Sequence, residues 1–393
     1  MRICYIGWAD HIHLIRWAQN FIKLGHKILI LTPSQGLNKS LNAFTIKIFT
    51  RNMRKSLSNI EYLIWSNLFM SNIIHAHWAG FGDTALTSSL GIIPYGITVW
   101  GSDIYRLNEF PYESQYRITF GLKNADFVTC DSHDLKKKLI SLGITQDKIY
   151  IIQWGVDTSI FRPNVNTELL KKELNIPEKA NIIFSPRQIA PIYNIETIIK
   201  AFAELLKKES NIILIQKYYK TTTERLIQLK EYAKNLGIGN KIRWIGTIPY
   251  RNMPLLYSIA DIVVSIPFSD STPMSILEAM ACGKPIIASN LPSIKEWIVH
   301  GKNGLLVDPM DINTLIFHML FLLKNKETRA LWGKINRLIV LKKASQDVHM
   351  RHMEKIYKKL VKTISWKQKM KRFMKYTSKI RKLYAIDFEG GNN

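Results

Sequence analysis

Short, unbroken apolar runs recur along the chain. Residues 2–7 (RICYIG), 27–32 (KILILT), 73–78 (IIHAHW), 125–130, 148–152, 262–266 and 285–288 read as strands covered on both faces. GITVWGSD, NIIFSPRQ (181–188), NIILIQ and KIRWIG read the same way, and residues 44–49 alternate enough for one more strand. Between these runs the spacing turns helical. Leu14, Trp17, Ala18, Phe21 and Ile22 share one face before Gly25 ends the helix, and Ile195, Ile198, Ile199, Phe202, Leu205 and Leu206 make another stripe. Leu135 and Leu139 mark a further helix, as do residues 57–68, 224–236, 253–259 and 312–323. Strand, helix and strand in succession predict right-handed crossovers and parallel, doubly wound sheets, an α/β fold. A polar segment with Pro and Asn over residues 162–177 separates two such halves.

The most informative stretch is 260–296, which contains SDSTPMSILEAMACGKPIIAS. It reads as buried strand, polar loop, helix and second buried strand. Ser271 or Thr272 is the expected N-cap, Pro273 suits the first turn, and Gly283 follows the last helical residue. Asp270 stands just before this helix and Glu278 inside it, so two carboxylates bracket a helix start at the carboxyl edge of a strand, where open α/β sheets bind ligands. Free N–H groups there attract phosphate, and a carboxylate accepts hydrogen bonds from the paired hydroxyls of a ribose or hexose. A nucleotide sugar offers both.

Other candidates sit at strand ends in the first half. His11, His13 and Arg16 follow the first strand, where they either face a cleft or cap and pack the helix. His75 and His77 lie on one face of a strand at its functional end. No third ligand accompanies them, and no metal site is expected. Trp100, Gly101, Ser102 and Asp103 follow a further strand. In the second half Arg187 ends a strand and Asn194 is placed to cap the following helix.

This donor-like stretch resembles the motif of the family 4 retaining glycosyltransferases, which have the GT-B fold of two Rossmann-like domains facing a cleft. Pro273, Leu277, Glu278, Ala279, Met280, Ala281, Gly283 and Pro285 follow the family order, Asp270 stands where the family carries its first Glu, and the likeness continues through HGKNGLLVDP. WGVD (154–157) resembles the family's interdomain hinge, and His13, Arg16 and Trp17 resemble a pattern in part of the family. The resemblance implies that Arg187 serves the donor diphosphate, Asp270 the donor sugar and Glu278 the ribose. Ser271, Thr272 and Pro273 would line the donor end, and His13, Arg16, His77, Trp100 and Asp103 the acceptor side. Asp103 either holds acceptor hydroxyls or caps its turn. The family's second phosphate cation is missing: Tyr193 takes its place and Asn194 that of a Gly, leaving Lys217 and Lys220 as substitutes. Trp100 stands where the family usually carries a His near the transferred sugar. The expected domains are 1–157 on the acceptor side, a linker at 158–177, a donor domain at 178–345 and a tail at 346–393. The activity implied is retaining sugar transfer to a glycan or lipid-linked acceptor, in polysaccharide or glycolipid synthesis, with no cofactor beyond the nucleotide sugar and no metal. Losses at Trp100 and Tyr193 leave a non-catalytic accessory subunit as the alternative.

Composition changes this picture in one respect. At 393 residues, 47% hydrophobic and 22% charged, the chain suits two globular domains, but its net charge is +25. Residues 351–382 carry thirteen Lys or Arg against Glu354 alone. Met353, Ile356, Leu360, Ile364, Trp366, Met370, Phe373, Tyr376, Ile380 and Leu383 recur among them at helical spacing. The pattern predicts a basic amphipathic C-terminal helix that either lies on an anionic membrane or packs its stripe back onto the first domain. Nucleic acid is an unlikely partner, because no zinc-finger spacing or RNA-binding aromatic motif accompanies the charge. Cys4, Cys130 and Cys282, odd in number and set among apolar residues, read as reduced buried thiols. With no signal peptide or apolar span legible, a cytoplasmic protein, peripheral on the inner face of the membrane, is expected.

Overall fold

The computed structural model describes residues 1–34, 43–52, 55–219, 223–363 and 366–389. It divides into two units, Met1–Trp154 with the chain from Asp347 onward, and Gly155–Gln346. In the first unit, β1 (Arg2–Ile6), β2 (Lys27–Thr32), β3 (Phe44–Lys47), β4 (Ile73–His77), β5 (Tyr95–Thr98), β6 (Phe127–Cys130) and β7 (Ile149–Ile151) form one parallel sheet in the order β3-β2-β1-β4-β5-β6-β7. In the second, β8 (Asn181–Ser185), β9 (Ile212–Lys217), β10 (Ile242–Ile245), β11 (Ile262–Ser265), β12 (Ile286–Ser289) and β13 (Leu305–Val307) follow the order β10-β9-β8-β11-β12-β13. Both sheets are doubly wound, with switch points at β1/β4 and β8/β11. There the chain leaves in opposite directions and a crevice opens at the carboxyl ends of the strands.

The apolar runs become strands because helices cover both faces. In the second unit one face packs Ile183, Leu214, Ile262 and Val264 beneath the Ile195–Leu206 helix, and the other packs Ile182, Phe184 and Val263 beneath the Met274–Ala281 helix. The stripe read from Ile195 to Leu205 is buried as expected. All three cysteines are free and buried.

Several elements escaped the pattern. The Gly82–Ser89 helix is buried along its whole length, so it has no polar face to give it a period. The Tyr112–Asn124 and Lys326–Lys343 helices are largely polar, and β13 is three residues long. The segment read as linker contains the Glu168–Glu173 helix, and its Leu170, Leu174 and Ile176 pack against the second unit's core.

The basic tail is two helices, Gln346–Thr363 and Trp366–Glu389, rather than one. Met353, Ile356, Tyr357 and Tyr376 are buried in the first unit, and Ile380 packs against the same core. Arg372 grips both carboxylate oxygens of Asp126 at 2.7 Å, and the Tyr376 hydroxyl donates to the Asn124 carbonyl at 2.9 Å. Gly91 admits this helix: a Cβ there would lie 2.3 Å from the Tyr376 ring. The stripe therefore packs back onto the first unit over much of its length. Met370 and Met374 stay exposed, among the exposed Lys367, Lys371 and Lys375. Ile364 and the side chains of Trp366 and Leu383 lie outside the described residues. No described helix is long and apolar enough to cross a membrane.

Candidate active site

The second unit's switch point gathers the donor-side candidates. β8 ends at Ser185 and carries Arg187 just beyond its carboxyl end, while β11 leads into the loop holding Asp270. Because β8 and β11 are neighbours, the two side chains meet: Arg187 Nη2 lies 2.6 Å from Asp270 Oδ2, both largely buried. Arg187 Nη1 donates to Ser275 Oγ at 3.1 Å, and the guanidinium lies 4.3 Å from the centre of the Tyr193 ring. Tyr193 thus fills the missing cation's place by stacking on the remaining one. Burial opposes the Arg187 charge, but Asp270 beside it keeps the guanidinium above its ordinary pKa. Burial likewise raises Asp270, outweighing Arg187 and the Ser271 N–H.

The helix beyond begins at Met274. Pro273 is its N-cap, with no side-chain cap, so neither Ser271 nor Thr272 takes the role expected of it. Both are buried in the loop, and Thr272 Oγ1 accepts from Trp297 Nε1 at 3.3 Å. Ser293 Oγ donates to the Asp270 carbonyl at 2.8 Å and Ser289 Oγ to that of Pro267 at 2.6 Å, which fixes the loop before the helix start. Gly283 ends the helix as expected, at φ +69°, with its N–H on the Met280 carbonyl and that of Lys284 on Ala279.

Glu278 is buried on this helix, and Tyr257 donates to its Oε2 at 2.9 Å. Lys217 ends β9, half-buried. Burial lowers its pKa while Glu278 works the other way, so its field is directed at the Glu278 carboxylate. Lys220 lies outside the described residues. Asn194 occupies a left-handed conformation, φ +56°, which is why the sequence tolerates Asn where a Gly is usual. Its Nδ2 donates to Pro309 O at 2.7 Å and Ile266 O at 3.3 Å, and Thr197 donates to its Oδ1. Asn194 is the helix N-cap residue without a side-chain capping bond; its amide instead ties three strand-end loops together.

In the first unit the carboxyl edge is aromatic. Trp8 follows β1, Trp78 and Phe81 follow β4, Trp100 follows β5 and Trp154 follows β7. Ring centres lie 5.0 Å apart for Trp8 and Trp78, 5.1 Å for Trp8 and Phe81, and 5.7 Å for Trp8 and Trp100. Trp100 stacks on His11 at 4.2 Å and His13 on Trp154 at 4.5 Å. His11 caps the Ile12–Lys23 helix, accepting from the His13 N–H, while His13 is half-buried and Arg16 is buried. His11 thus caps the helix, and His13 packs against Trp154. Asp103, fully buried, accepts from the N–H groups of Ala79 at 2.8 Å and Trp100 at 2.9 Å. Burial, only partly offset by those amides, raises it to about 6. His77 is fully buried with neither ring nitrogen hydrogen-bonded, among Tyr5, Trp17 and Trp154. His75 is bonded on both sides, to Tyr357 at 2.5 Å and Thr98 at 2.7 Å. Trp78 holds a backbone of φ +98°, ψ 135°, a region that costs a bulky residue about 1–3 kcal/mol. Among the described residues no group of three or more His, Cys, Asp or Glu could hold a metal ion.

Residues 166–338 match the family model of group 1 glycosyl transferases, and residues 2–132 match that of glycosyl transferase 4-like proteins. The chain belongs to the group 1 glycosyltransferases. It is 26% identical over 261 residues to N-acetyl-alpha-D-glucosaminyl L-malate synthase of Bacillus anthracis, covering 66% of each chain, just under two thirds of that relative's length. Two solved structures share the fold. Sucrose-phosphate synthase of Thermosynechococcus elongatus is 18% identical with a TM-score of 0.80, over 92% of this chain and 99% of that one. Anabaena HepE in complex with UDP-glucose is 16% identical with a TM-score of 0.79, over 91% and 100%.

Within this glycosyltransferase, sequence reasoning missed Tyr257, Ser275 and the aromatic partners Trp8, Trp78, Phe81 and Trp154. Ser275 carries a readable signal, being a polar residue in the first turn of a helix that starts beside a carboxylate. Tyr257 carries none, since an apolar helix with a Tyr reads as core. Each indole taken singly is an ordinary apolar residue at a strand end.

Proposed function

We propose that this group 1 glycosyltransferase moves a sugar from a nucleotide-sugar donor to a hydroxyl of a glycan or lipid-linked acceptor, with retention of configuration and without a metal ion, in cell-surface polysaccharide or glycolipid synthesis. The observation that carries the reading is the Arg187–Asp270 pair at the β8/β11 switch point, beside a helix start with no side-chain cap. As the bond to the leaving diphosphate breaks, negative charge grows on its oxygens. Arg187 and the N–H groups at Met274 and Ser275 are placed to stabilise it in a site that costs little reorganisation. Asp270, held by Arg187, accepts from the donor sugar, and Glu278, already oriented by Tyr257, accepts from the ribose. The UDP-glucose bound by HepE supports this donor class.

Glu278→Gln is expected to raise the dissociation constant for the donor about 10- to 100-fold, the worth of a charged hydrogen bond. Calorimetry with nucleoside diphosphates and their sugars measures it. An unchanged constant removes Glu278 from the site, and tight nucleotide binding without transfer or hydrolysis of any donor points to the accessory-subunit reading.

Peripheral attachment to the inner face of the membrane belongs to the same proposal. It is supported by Met370 and Met374, exposed among Lys367, Lys371 and Lys375. Each basic residue contributes on the order of 1 kcal/mol at an anionic surface. Changing these three lysines to Glu is expected to abolish sedimentation with phosphatidylglycerol vesicles while leaving nucleotide binding unchanged; sedimentation that persists overturns the attachment.

A further inference from the structure

The first unit presents an aromatic surface where a charged one would be needed to hold a phosphate or carboxylate. Trp8, Trp78, Phe81 and Trp100 are each partly exposed at the carboxyl edge of the sheet, in ring contact around Trp8. Two features show that this surface is built. Trp78 occupies a backbone region that a Trp scarcely visits, and its indole lies over Gly80, where a Cβ would come within 1.8 Å of the ring. The strain and the missing side chain both serve to lay one indole beside another. Strain of this kind persists where the surroundings enforce it, and it concentrates at ligand-holding sites.

The charged groups at this edge are few. Asp103 is capped by amides, Arg16 is buried, and Arg106 is paired with Glu109 at its own surface. Asp10 is exposed. His11, His13 and His77 are packed among the rings and held neutral by burial. Among these described residues no exposed, unpaired cation is offered to an anionic ligand. What the surface does offer is several π faces, against which the axial C–H groups of a pyranose pack while its hydroxyls remain solvated.

We propose that Trp8, Trp78, Phe81 and Trp100 form a stacking platform that receives an uncharged pyranose ring of the acceptor. The inference rests on the glycosyltransferase reading and narrows it, since the acceptor's terminal unit is then a neutral sugar rather than a uronic acid, a phosphorylated headgroup or an acyl chain.

Saturation-transfer NMR on the full chain tests this with maltose, cellobiose and lactose as neutral probes. Glucuronate and dihexanoyl-phosphatidylglycerol below its micelle concentration serve as the contrasting ones. UDP, GDP and ADP are titrated into the same samples. At least one neutral disaccharide is expected to show saturation of its ring C–H protons, reduced fivefold or more in Trp78→Ala and in Trp8→Ala and largely restored in Trp78→Phe. The nucleotide signal should be the same in all four proteins, which shows that the variants are folded. Undiminished transfer in both alanine variants, or a stronger signal from glucuronate or the lipid, overturns the platform. Nucleotide binding with no saccharide signal overturns the platform alone, whereas absence of any nucleotide signal in the wild type overturns the donor reading on which it rests.

Discussion

Arg187→Met lowers kcat with the cognate nucleotide sugar by about 100- to 1,000-fold, the usual loss when one preorganised donor to a developing anion is removed. The guanidinium is the group at this switch point that combines full charge, burial and a fixed direction, set by Asp270 at 2.6 Å and Ser275 at 3.1 Å. Its stabilisation is needed most when the diphosphate departs, so kcat falls more than the donor's KM rises. The substitution also leaves Asp270 without its counter-charge. Burial already raises Asp270 and Arg187 opposes that rise, so removing Arg187 raises the carboxyl further. Arg187→Lys restores charge but not the fork that reaches Asp270 and Ser275 together, and recovers only part of the rate. Steady-state kinetics of the three proteins decide the matter: a kcat within threefold of wild type for Arg187→Met takes Arg187 out of the chemistry.

The second large effect is on the stability of the first unit. Burial pulls His75 down to about 3 and His11 to about 4, and holds His13 and His77 well below their ordinary value. All four are neutral in the folded unit, while the unfolded chain protonates them below about pH 6.5. The unfolded state therefore binds more protons as the pH falls through 6.5, and stability present above that pH is lost progressively toward 4. Asp103 acts oppositely: its folded value of about 6 exceeds the unfolded one, so it adds stability as the pH falls from 6 toward 3.8. Four histidines outweigh one acid. Each uncompensated proton is worth about 1.4 kcal/mol per pH unit, so the limiting slope is about 4 kcal/mol per unit against a total stability of roughly 5–15 kcal/mol. The first unit should lose its near-ultraviolet circular dichroism between about pH 5.5 and 4. His77→Phe, an apolar ring in an aromatic nest, should shift that midpoint to lower pH. A midpoint unmoved by this change, or one below pH 3.5, contradicts the assignment.

Much of the fold was legible because the evidence for it is local. The runs at β1, β2, β4, β8, β9 and β11 are continuous because their strands are covered on both faces, and the stripe from Ile195 repeats because one face of its helix is buried. The helix bearing Glu278 announces itself through Pro273 and Gly283, although its first residue is Met274 rather than Pro273. The same locality explains what stayed open. The tail's stripe was plain, but a stripe says only that something apolar covers it. Here that cover is the protein's own first unit around Met353, Ile356 and Tyr376, while Met370 and Met374 are left outside.

The sequence by itself determined the parallel α/β architecture, the helix with a carboxylate inside it, and the family likeness of the donor stretch. Each of these depends on residues within a few turns of one another. The tertiary structure alone decided that Arg187 reaches across 88 positions to Ser275 and pairs with Asp270, that Tyr357 closes on His75 from 282 positions away, and that Trp78 and Trp100, from two other strand ends, meet Trp8. The physical reason is that periodicity reports which face of an element is buried, whereas strand order decides which elements are neighbours. That order is set by how whole helices and strands pack, which no short stretch of the chain records.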